Sequence, residues 1–337
     1  ARHTEYEIDG TEIINLPQIV KALGDPFQEG GLMVNYMAMK LIGENRPEII
    51  LGGDGNDQLH GSAGKELALH HRIRSAGMMP FHRLAAQIMQ HKSFMKDNKL
   101  FRIKFHSDKV LNIMQNDNFG FSGRELTQML QTDTKPEKPF YTSSIPRKYK
   151  GFNELFLLHN YFIDIQQVIN EVILFKASKM AAMTGNQLTY PYMSTGMYQF
   201  LSTMPREFKF KGTLSELMAG KGISKYLHKA GLKPKLPEEI TNRKKQGGFA
   251  PLPIFFRDVA QRERFRKIIL SSGMNREFTD ERNVKQFLDN YDTGAGKSAY
   301  WFWHTQVKAF RYFNLLMLAV WWEMMIEGKP AELLDDL

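Results

Sequence analysis

A glycine-rich turn with two carboxylates is the feature of this sequence best suited to chemistry. Residues 52–57 read Gly-Gly-Asp-Gly-Asn-Asp and directly follow the apolar run 49–51. Ligands of open α/β sheets bind at the C-terminal ends of such strands. Glycines let a backbone approach a phosphate closely, and Asp54 and Asp57 could hold Mg²⁺. The turn predicts nucleotide or metal chemistry, with a purely structural Asp-Gly turn as the alternative.

Basic residues concentrate in a second segment, between Lys209 and Lys245. This segment has ten basic and three acidic residues, so it carries +7 of the chain's formal net charge of +9. Near its end, residues 242–248 read Asn-Arg-Lys-Lys-Gln-Gly-Gly. Lysine is a compact charge that suits phosphate oxygens, so three adjacent cations before a Gly-Gly turn favour a phosphate clamp. The alternative is a solvent-exposed basic loop.

The composition excludes several classes of protein. The 337 residues include no cysteine, so there is no disulfide framework, thiolate metal site or cysteine nucleophile. The first residues lack the layout of a signal peptide. The longest apolar run, 315–322, is far shorter than the roughly 20 residues that span a bilayer. We therefore predict a cytoplasmic protein, and the start without methionine suggests a piece of a longer chain.

The elements that position the glycine-rich turn are predicted from hydrophobic spacing. Residues 4–8 alternate like a short strand, and 12–23 and 32–42 have helical spacing. The apolar run 49–51 is typical of a buried parallel strand. Strand, helix, helix, strand and turn together indicate part of an α/β unit.

Beyond residue 62 the apolar spacing is mostly helical, with a break expected at Pro80 and a long loop over 132–152. The predicted helical stretches are 67–95, 122–131, 152–183, 198–202, 214–229 and 299–327. The predicted fold class is therefore α/β, with a partial parallel-sheet nucleotide-binding element over 1–62 and a mostly helical remainder over 63–337.

Several motifs, taken in order, resemble the synthetase domain of the asparagine synthase family. Residues 52–61 are similar to the family's Ser-Gly-Glu/Asp-Gly-x-Asp-Glu-Leu-Phe-Gly. Tyr-Pro-Tyr-Met-Ser at 190–194 is similar to its Val-Pro-Phe-Leu-Asp, and Lys-Tyr-Leu-His-Lys-Ala at 225–230 to its Lys-Tyr-Leu-Leu-Arg-x-Ala. A Leu-Pro pair at 236–237 and the basic stretch 242–247 follow in the expected order. The resemblance covers almost the whole chain.

This resemblance implies one synthetase-type domain over 1–337, with an adenine nucleotide alpha hydrolase-like element that lacks its N-terminal strand and pyrophosphate loop. It implies an ATP-dependent, amide-forming ligase that uses ATP and Mg²⁺. A carboxylate, expected to be aspartate, is activated as an acyl-adenylate and attacked by ammonia or an amine, with release of AMP and pyrophosphate. Two alternatives stay open: a family member that makes another amide, such as a ring-closing antibiotic or peptide-tailoring synthetase, or a truncated, non-catalytic binding domain.

The resemblance also implies a role for each matching residue. Asp54 would be the carboxylate needed at the intermediate step, and Lys245 would stabilise the intermediate and the leaving group, so both are predicted to be catalytic. Asp57 would ligand Mg²⁺. The residues expected against ATP and its phosphates are Gly52, Gly53 and Lys225.

The sequence departs from the family pattern at several points. The Ser-Gly-Gly-x-Asp-Ser loop and the glutaminase domain are not in this chain, so the fragment alone is expected to be inactive. Gln58 replaces a glutamate, which should lower metal affinity. Gln187, Thr189 and Ser194 replace Glu, Arg and Asp, which leaves the substrate open. The expected partners are a small carboxylate and ammonia, free or derived from glutamine, with a possible homo-oligomer and neither nucleic acid nor membrane.

Overall fold

A short parallel sheet and a large helical remainder make up the described part of the chain. The computed structural model describes residues 3, 5–27, 29–44, 47–91, 98–114, 120–121, 123–131, 148–241, 243, 250–294 and 302–334. Over these residues the coarse part of the predicted fold class is confirmed: the chain is α/β and mostly helical, with a small parallel sheet. Most of the predicted 132–152 loop lies outside them.

The described N-terminal part contains the two predicted helices but not the strand predicted before them. A 3₁₀ helix, Thr11–Asn15, leads into α1 (Leu16–Leu23), and α2 spans Leu32–Glu44. The strand predicted at residues 4–8 is wrong over its described residues, which pair with no strand. The hydroxyl of Tyr6 instead donates to Oε1 of Glu12 at 2.9 Å, so this segment folds back on the first helical turn.

The parallel sheet joins two distant parts of the chain. Strand β1 (Ile50–Leu51) lies parallel to β2 (Leu188–Thr189), with Ile50 opposite Leu188. The predicted strand is therefore present, but its burial is only partial. Ile50 packs against the main core, whereas Leu51 is 72% exposed because no described element covers the other face. A second, antiparallel pair joins β3 (Phe210–Lys211) and β4 (Ile223–Ser224).

Among the described residues, five helices follow β1 before the long central rod. The break expected at Pro80 lies just ahead of it, because Gly77 has a φ of 68° and Pro80 is the second residue of its helix. The helices are α3 (Asn56–His60), α4 (Gly64–Ser75), α5 (Met79–His91), α6 (Asn98–Leu111) and α7 (Gly123–Met129).

A continuous helical rod crosses the molecule over the predicted stretch 152–183. It consists of α8 (Phe152–His159), a π-helical stretch Asn160–Leu174, and α9 (Phe175–Met183). The rod contacts α2, α3 and α4. It thereby links the N-terminal helices to the turn that follows β1.

The segment after β2 forms shorter helices and strands than the sequence predicts. The single helix expected over 214–229 is instead α12 (Leu214–Met218), β4 and α13 (Tyr226–Leu232). Gly220 has a φ of 71° and breaks the helix there. The remaining helices of this part are α10 (Thr195–Thr203), α11 (Arg206–Lys209) and α14 (Glu238–Thr241), after a 3₁₀ turn Pro191–Met193.

The C-terminal helices enclose the main hydrophobic core together with α1 and α2. Tyr312 and Phe256 lie at its centre, with ring centroids 4.5 Å apart. No helix in the described ranges is long and apolar enough to cross a membrane. The C-terminal elements are α15 (Leu252–Phe255), α16 (Val259–Ser271), α17 (Met274–Glu277), α18 (Glu281–Gly294), α19 (Phe302–Trp321), a π-helical turn Trp322–Ile326 and a 3₁₀ turn Ala331–Leu334.

Candidate functional site

The two glycines after β1, Gly52 and Gly53, differ in what surrounds them. The amide of Gly52 donates to the carbonyl oxygen of Thr189 at 2.8 Å, which extends the parallel pairing. A Cβ at Gly52 would lie 3.0 Å from Cδ1 of Tyr190, so the glycine allows this ring to pack on the backbone. Burial in this position raises the pKa of Tyr190. Gly53 is exposed, and a Cβ there would meet no described atom within 4 Å, so its backbone is open to a ligand.

Gly55 turns the chain from the strand into α3. Its φ is 91°, a left-handed conformation that side chains disfavour, and an added Cβ would lie 2.3 Å from Sδ of Met193. The turn therefore needs glycine at this position. Helix α3 begins at the next residue, which puts Asp57 in its first turn, where a carboxylate is stabilised by the helix dipole.

The structure brings together two of the residues predicted from separate motifs. Nζ of Lys225 lies 2.6 Å from Oδ1 of Asp57, and the two side chains are 24% and 40% exposed. Lys225 precedes α13 and adopts a left-handed backbone with a φ of 52°. It is the only non-glycine residue of the described chain with a positive φ. This backbone directs its ammonium group to the turn after β1.

Asp54, the other carboxylate of the turn, is partly buried. Burial raises the pKa of its carboxyl group, and the positive charge of Lys176 on the rod acts in the opposite direction. Lys176 itself pairs with Glu29. The sequence does not indicate a role for Lys176, because the spacing of the rod marks it only as one residue of a helix.

Two histidines close the site on the side of α3. His60 is 3% exposed, its Nδ1 lies 2.9 Å from the carbonyl oxygen of Asn56, and its ring contacts that of His228 edge to face at 6.0 Å. Burial lowers the pKa of both imidazoles, which keeps the rings uncharged at neutral pH. His60 stands where the family pattern has phenylalanine, and its ring is buried.

A metal ion would find few protein ligands here. The described residues contain no group of three or more His, Cys, Asp and Glu side chains that could hold one. Asp57 is already paired with a cation, the ammonium of Lys225, so the position suits positive charge. Mg²⁺ commonly takes only one or two protein carboxylates and completes its shell with phosphates and water, which fits Asp57.

Five of the six predicted site residues lie at one edge of the sheet. Lys245 lies outside the described residues, so its predicted role is not placed by the structure. Gln187, Thr189 and Ser194, where the sequence departs from the family pattern, are all exposed. The five predicted site residues that the structure describes either follow β1 or face the turn after it. They are Gly52, Gly53, Asp54, Asp57 and Lys225.

Fold and site together define an α/β protein whose parallel strand ends in a glycine-rich, carboxylate-bearing turn faced by a lysine. This arrangement can accept an anionic ligand on the open backbone and a cation on the carboxylate. The family model described as asparagine synthase matches residues 1–323. The chain therefore belongs to the asparagine synthase family, and the predicted family is confirmed.

A curated relative is consistent with this membership. Asparagine synthetase [glutamine-hydrolyzing] 1 of Bacillus subtilis (strain 168) is 22% identical over 340 residues, which cover 94% of the chain and 47% of that protein. The chain thus spans about half the length of this relative. No solved structure matches the chain.

Proposed function

We propose that the chain is the synthetase part of an ATP-dependent, amide-forming ligase. The observation that carries this proposal is the meeting of Asp57 and Lys225 at the C-terminal end of β1, beside the open backbone of Gly53. A carboxylate for a metal ion and a lysine for phosphate are the two charges that a bound nucleotide requires. Family membership supports the same reaction class.

The proposed reaction has two steps. A carboxylate oxygen of the substrate attacks the α-phosphorus of ATP, which forms an acyl-adenylate and releases pyrophosphate. Ammonia or an amine then attacks the acyl carbon, the C–O bond to AMP breaks, and the amide forms. Both steps move negative charge onto phosphate oxygens, so catalysis depends mainly on positioning and charge neutralisation. Aspartate is the proposed carboxylate, and the relative's printed name supports this choice.

The proposed roles follow the geometry of the turn. Gly53 offers an open backbone to ATP. Gly52, the residue before it, is hydrogen-bonded to β2 and extends the sheet. Mg²⁺, held by Asp57, would neutralise phosphate charge. Lys225 would exchange its contact with Asp57 for a contact with a phosphate oxygen when the nucleotide and its metal bind.

Asp54 and Lys245 are the proposed catalytic residues. Asp54 is partly buried, which suits a carboxylate that acts on the activated intermediate. Lys245 belongs to the basic stretch 242–247, which follows α14 in the sequence, and its charge would stabilise the pyrophosphate that leaves.

The larger assembly is also part of the proposal. We propose that the parallel pair β1–β2 belongs to an adenine nucleotide alpha hydrolase-like element, because its glycine-rich turn lies at the C-terminal end of a parallel strand. We further propose that ammonia comes from glutamine. The relative is named as glutamine-hydrolyzing and is about twice the length of this chain.

Pyrophosphate release from ATP tests the proposed function. In the whole protein, release should require Mg²⁺ and a carboxylate substrate, and a panel of carboxylates that includes aspartate identifies that substrate. Asp57→Ala and Lys245→Ala should each lower the rate at least about 100-fold, the scale of losing one electrostatic contact to the transition state. A colorimetric pyrophosphate assay measures it.

Lys235→Ala is the matched control for the loss of charge. Lys235 is exposed and lies in the same basic segment as the two active-site lysines, so its removal should leave the rate unchanged. If Asp57→Ala and Lys245→Ala both keep the wild-type rate, the assignment of the site is wrong. If no carboxylate supports pyrophosphate release, the alternative of a non-catalytic binding domain replaces the ligase.

A different carboxylate substrate is the second candidate function. Gln187, Thr189 and Ser194 replace the family's charged residues and are exposed beside β2, next to the glycine-rich turn. Neutral residues there would suit a less polar substrate than aspartate. In the carboxylate panel, a bulkier or uncharged acid that outperforms aspartate would support this candidate.

A further inference from the structure

A buried polar cluster holds the end of α3 that follows Asp57. Asn160 and Asp164 lie one turn apart on the rod and are 4% and 2% exposed. The hydroxyl of Ser62 donates to Oδ1 of Asp164 at 2.5 Å, and its backbone N–H donates to Oδ2 at 3.3 Å. Nδ2 of Asn160 donates to the carbonyl oxygen of Gln58. The rod is therefore hydrogen-bonded to the end of α3 at two positions, Gln58 and Ser62.

Helix α3 depends on these contacts because it has only five residues, too few to be stable by itself. Its fully buried side chain, Leu59, packs against Ile165 and Leu201. Apolar packing holds α3 against the rod but is not directional. Hydrogen bonds have a preferred geometry, so the polar cluster is what fixes the orientation of the helix.

Lys209 determines which way the amide of Asn160 points. Its Nζ donates to Oδ1 of Asn160 at 3.0 Å, and Lys209 is 1% exposed. An ammonium group only donates, so it must face the amide oxygen. The amide nitrogen is then directed at Gln58 and at Oδ2 of Asp164, 3.2 Å away. If the amide flipped, its oxygen would face the carbonyl oxygen of Gln58, and two acceptors would meet.

The same lysine lies next to the element that carries Lys225. Lys209 is the last residue of α11, and α11 packs against α13, which begins directly after Lys225. Burial lowers the pKa of Lys209 to about 8, and the charge of Asp164 opposes this change. At neutral pH Lys209 is therefore mostly an ammonium group.

We propose that Lys209 is a positioning residue for the candidate nucleotide site. Through Asn160 it fixes the end of α3, and through α11 it supports α13, so it sets the spacing between Asp57 and Lys225. Its effect on turnover rests on the proposed function, whereas its effect on α3 does not.

Amide hydrogen exchange of residues 55–62 tests the positioning role in the whole protein. Lys209→Met keeps a similar apolar volume but removes the donor, and Lys209→Gln keeps an N–H donor. Exchange should be about tenfold faster in Lys209→Met, the factor expected for one lost charge-assisted hydrogen bond. In Lys209→Gln it should stay within about threefold of wild type. Wild-type protection in Lys209→Met would overturn the proposal.

Two further variants keep the test decisive. Ser62 is exposed, so Ser62→Ala leaves the core intact even if Lys209→Met does not fold. Faster exchange over residues 58–62 in Ser62→Ala supports the premise of the proposal, that the polar cluster of Asn160 and Asp164 holds the end of α3, and unchanged exchange contradicts that premise. Lys21→Met, on the exposed side of α1, is the matched control and should leave exchange of α3 unchanged.

Turnover separates this proposal from the proposed function. Lys209→Met should lower kcat for pyrophosphate release about tenfold, and Lys209→Gln should restore most of it, which a space-filling role would not predict. If the wild-type protein shows no turnover while Lys209→Met still speeds the exchange of α3, the proposed function fails and the positioning role stands.

Discussion

At the scale of single residues, the site is built around a lysine in an unfavourable backbone conformation. The left-handed conformation of Lys225 costs about 1 kcal/mol relative to glycine. Its ion pair with Asp57 is partly exposed and contributes little to stability. Strain of this kind persists where the surrounding structure imposes it, and it is frequent at ligand sites. The contacts of its ammonium group therefore explain the presence of lysine at position 225 better than a contribution to the stability of the fold does.

Exchange of Lys225 for two small residues separates these contributions. Lys225→Gly removes the charge and the strain, so the free energy of unfolding should rise by about 0.5 to 1 kcal/mol. Lys225→Ala removes the charge alone and should bring no such gain. Both variants should lose pyrophosphate release at least about tenfold. Urea denaturation and the pyrophosphate assay measure the two effects.

The explanation fails on either of two results. One is a Lys225→Gly variant that turns over ATP like the wild type. The other is a Lys225→Gly variant that is less stable than Lys225→Ala, because the backbone would then not be strained.

At the scale of elements, the turn between β1 and α3 combines an open glycine with a structurally required one. Gly53 has room for a side chain, whereas Gly55 has a φ of 91° and a close neighbour in Met193. The sequence shows two glycines of the same motif and cannot distinguish them, because the difference lies in what the distant segment after β2 places beside each one.

Alanine at each glycine should produce opposite outcomes. Gly55→Ala should destabilise the protein by about 1 to 3 kcal/mol through strain and overpacking. Gly53→Ala should change stability by less than about 0.5 kcal/mol, yet raise the KM for ATP about tenfold, because the new Cβ enters the space proposed for the nucleotide. Thermal unfolding and steady-state kinetics measure these effects.

Gly24→Ala is the control for backbone strain alone. Gly24 ends α1 with a φ of 78°, and a Cβ there would meet no described atom within 4 Å. Its cost should be smaller than that of Gly55→Ala, and its KM should be unchanged. An unchanged KM in Gly53→Ala would remove Gly53 from the nucleotide site.

At the scale of the whole molecule, the sequence predicts what depends on local pattern and misses what depends on distant contacts. The rod over 152–183 and the strand before the turn follow from spacing, and both are present. The strand expected at residues 4–8 is absent over its described residues because Tyr6 folds back onto Glu12. The helix expected over 214–229 breaks at Gly220, which has a left-handed backbone conformation. The spacing of apolar residues does not reveal that conformation.

The residues of the candidate site divide in the same way, into those that a local motif predicts and those whose role depends on distant contacts. Asp57 and Lys225 are predicted from two motifs, but only the fold shows that their side chains meet. Lys176 and Asn160 lie in ordinary helical sequence, and Lys209 enters only as the first residue of the basic segment, so no motif predicts a role for any of the three. Their roles arise from burial and from the groups placed opposite them by tertiary packing.

The most direct test of the account follows oxygen from the substrate to the nucleotide. The carboxylate that supports pyrophosphate release is labelled with oxygen-18 on both oxygens, and AMP is analysed by mass spectrometry after turnover. We expect one labelled oxygen in each AMP, one in each amide product, and none in pyrophosphate, because the carboxylate attacks the α-phosphorus and its oxygen leaves with AMP. Unlabelled AMP, or label in inorganic phosphate, would contradict activation as an acyl-adenylate.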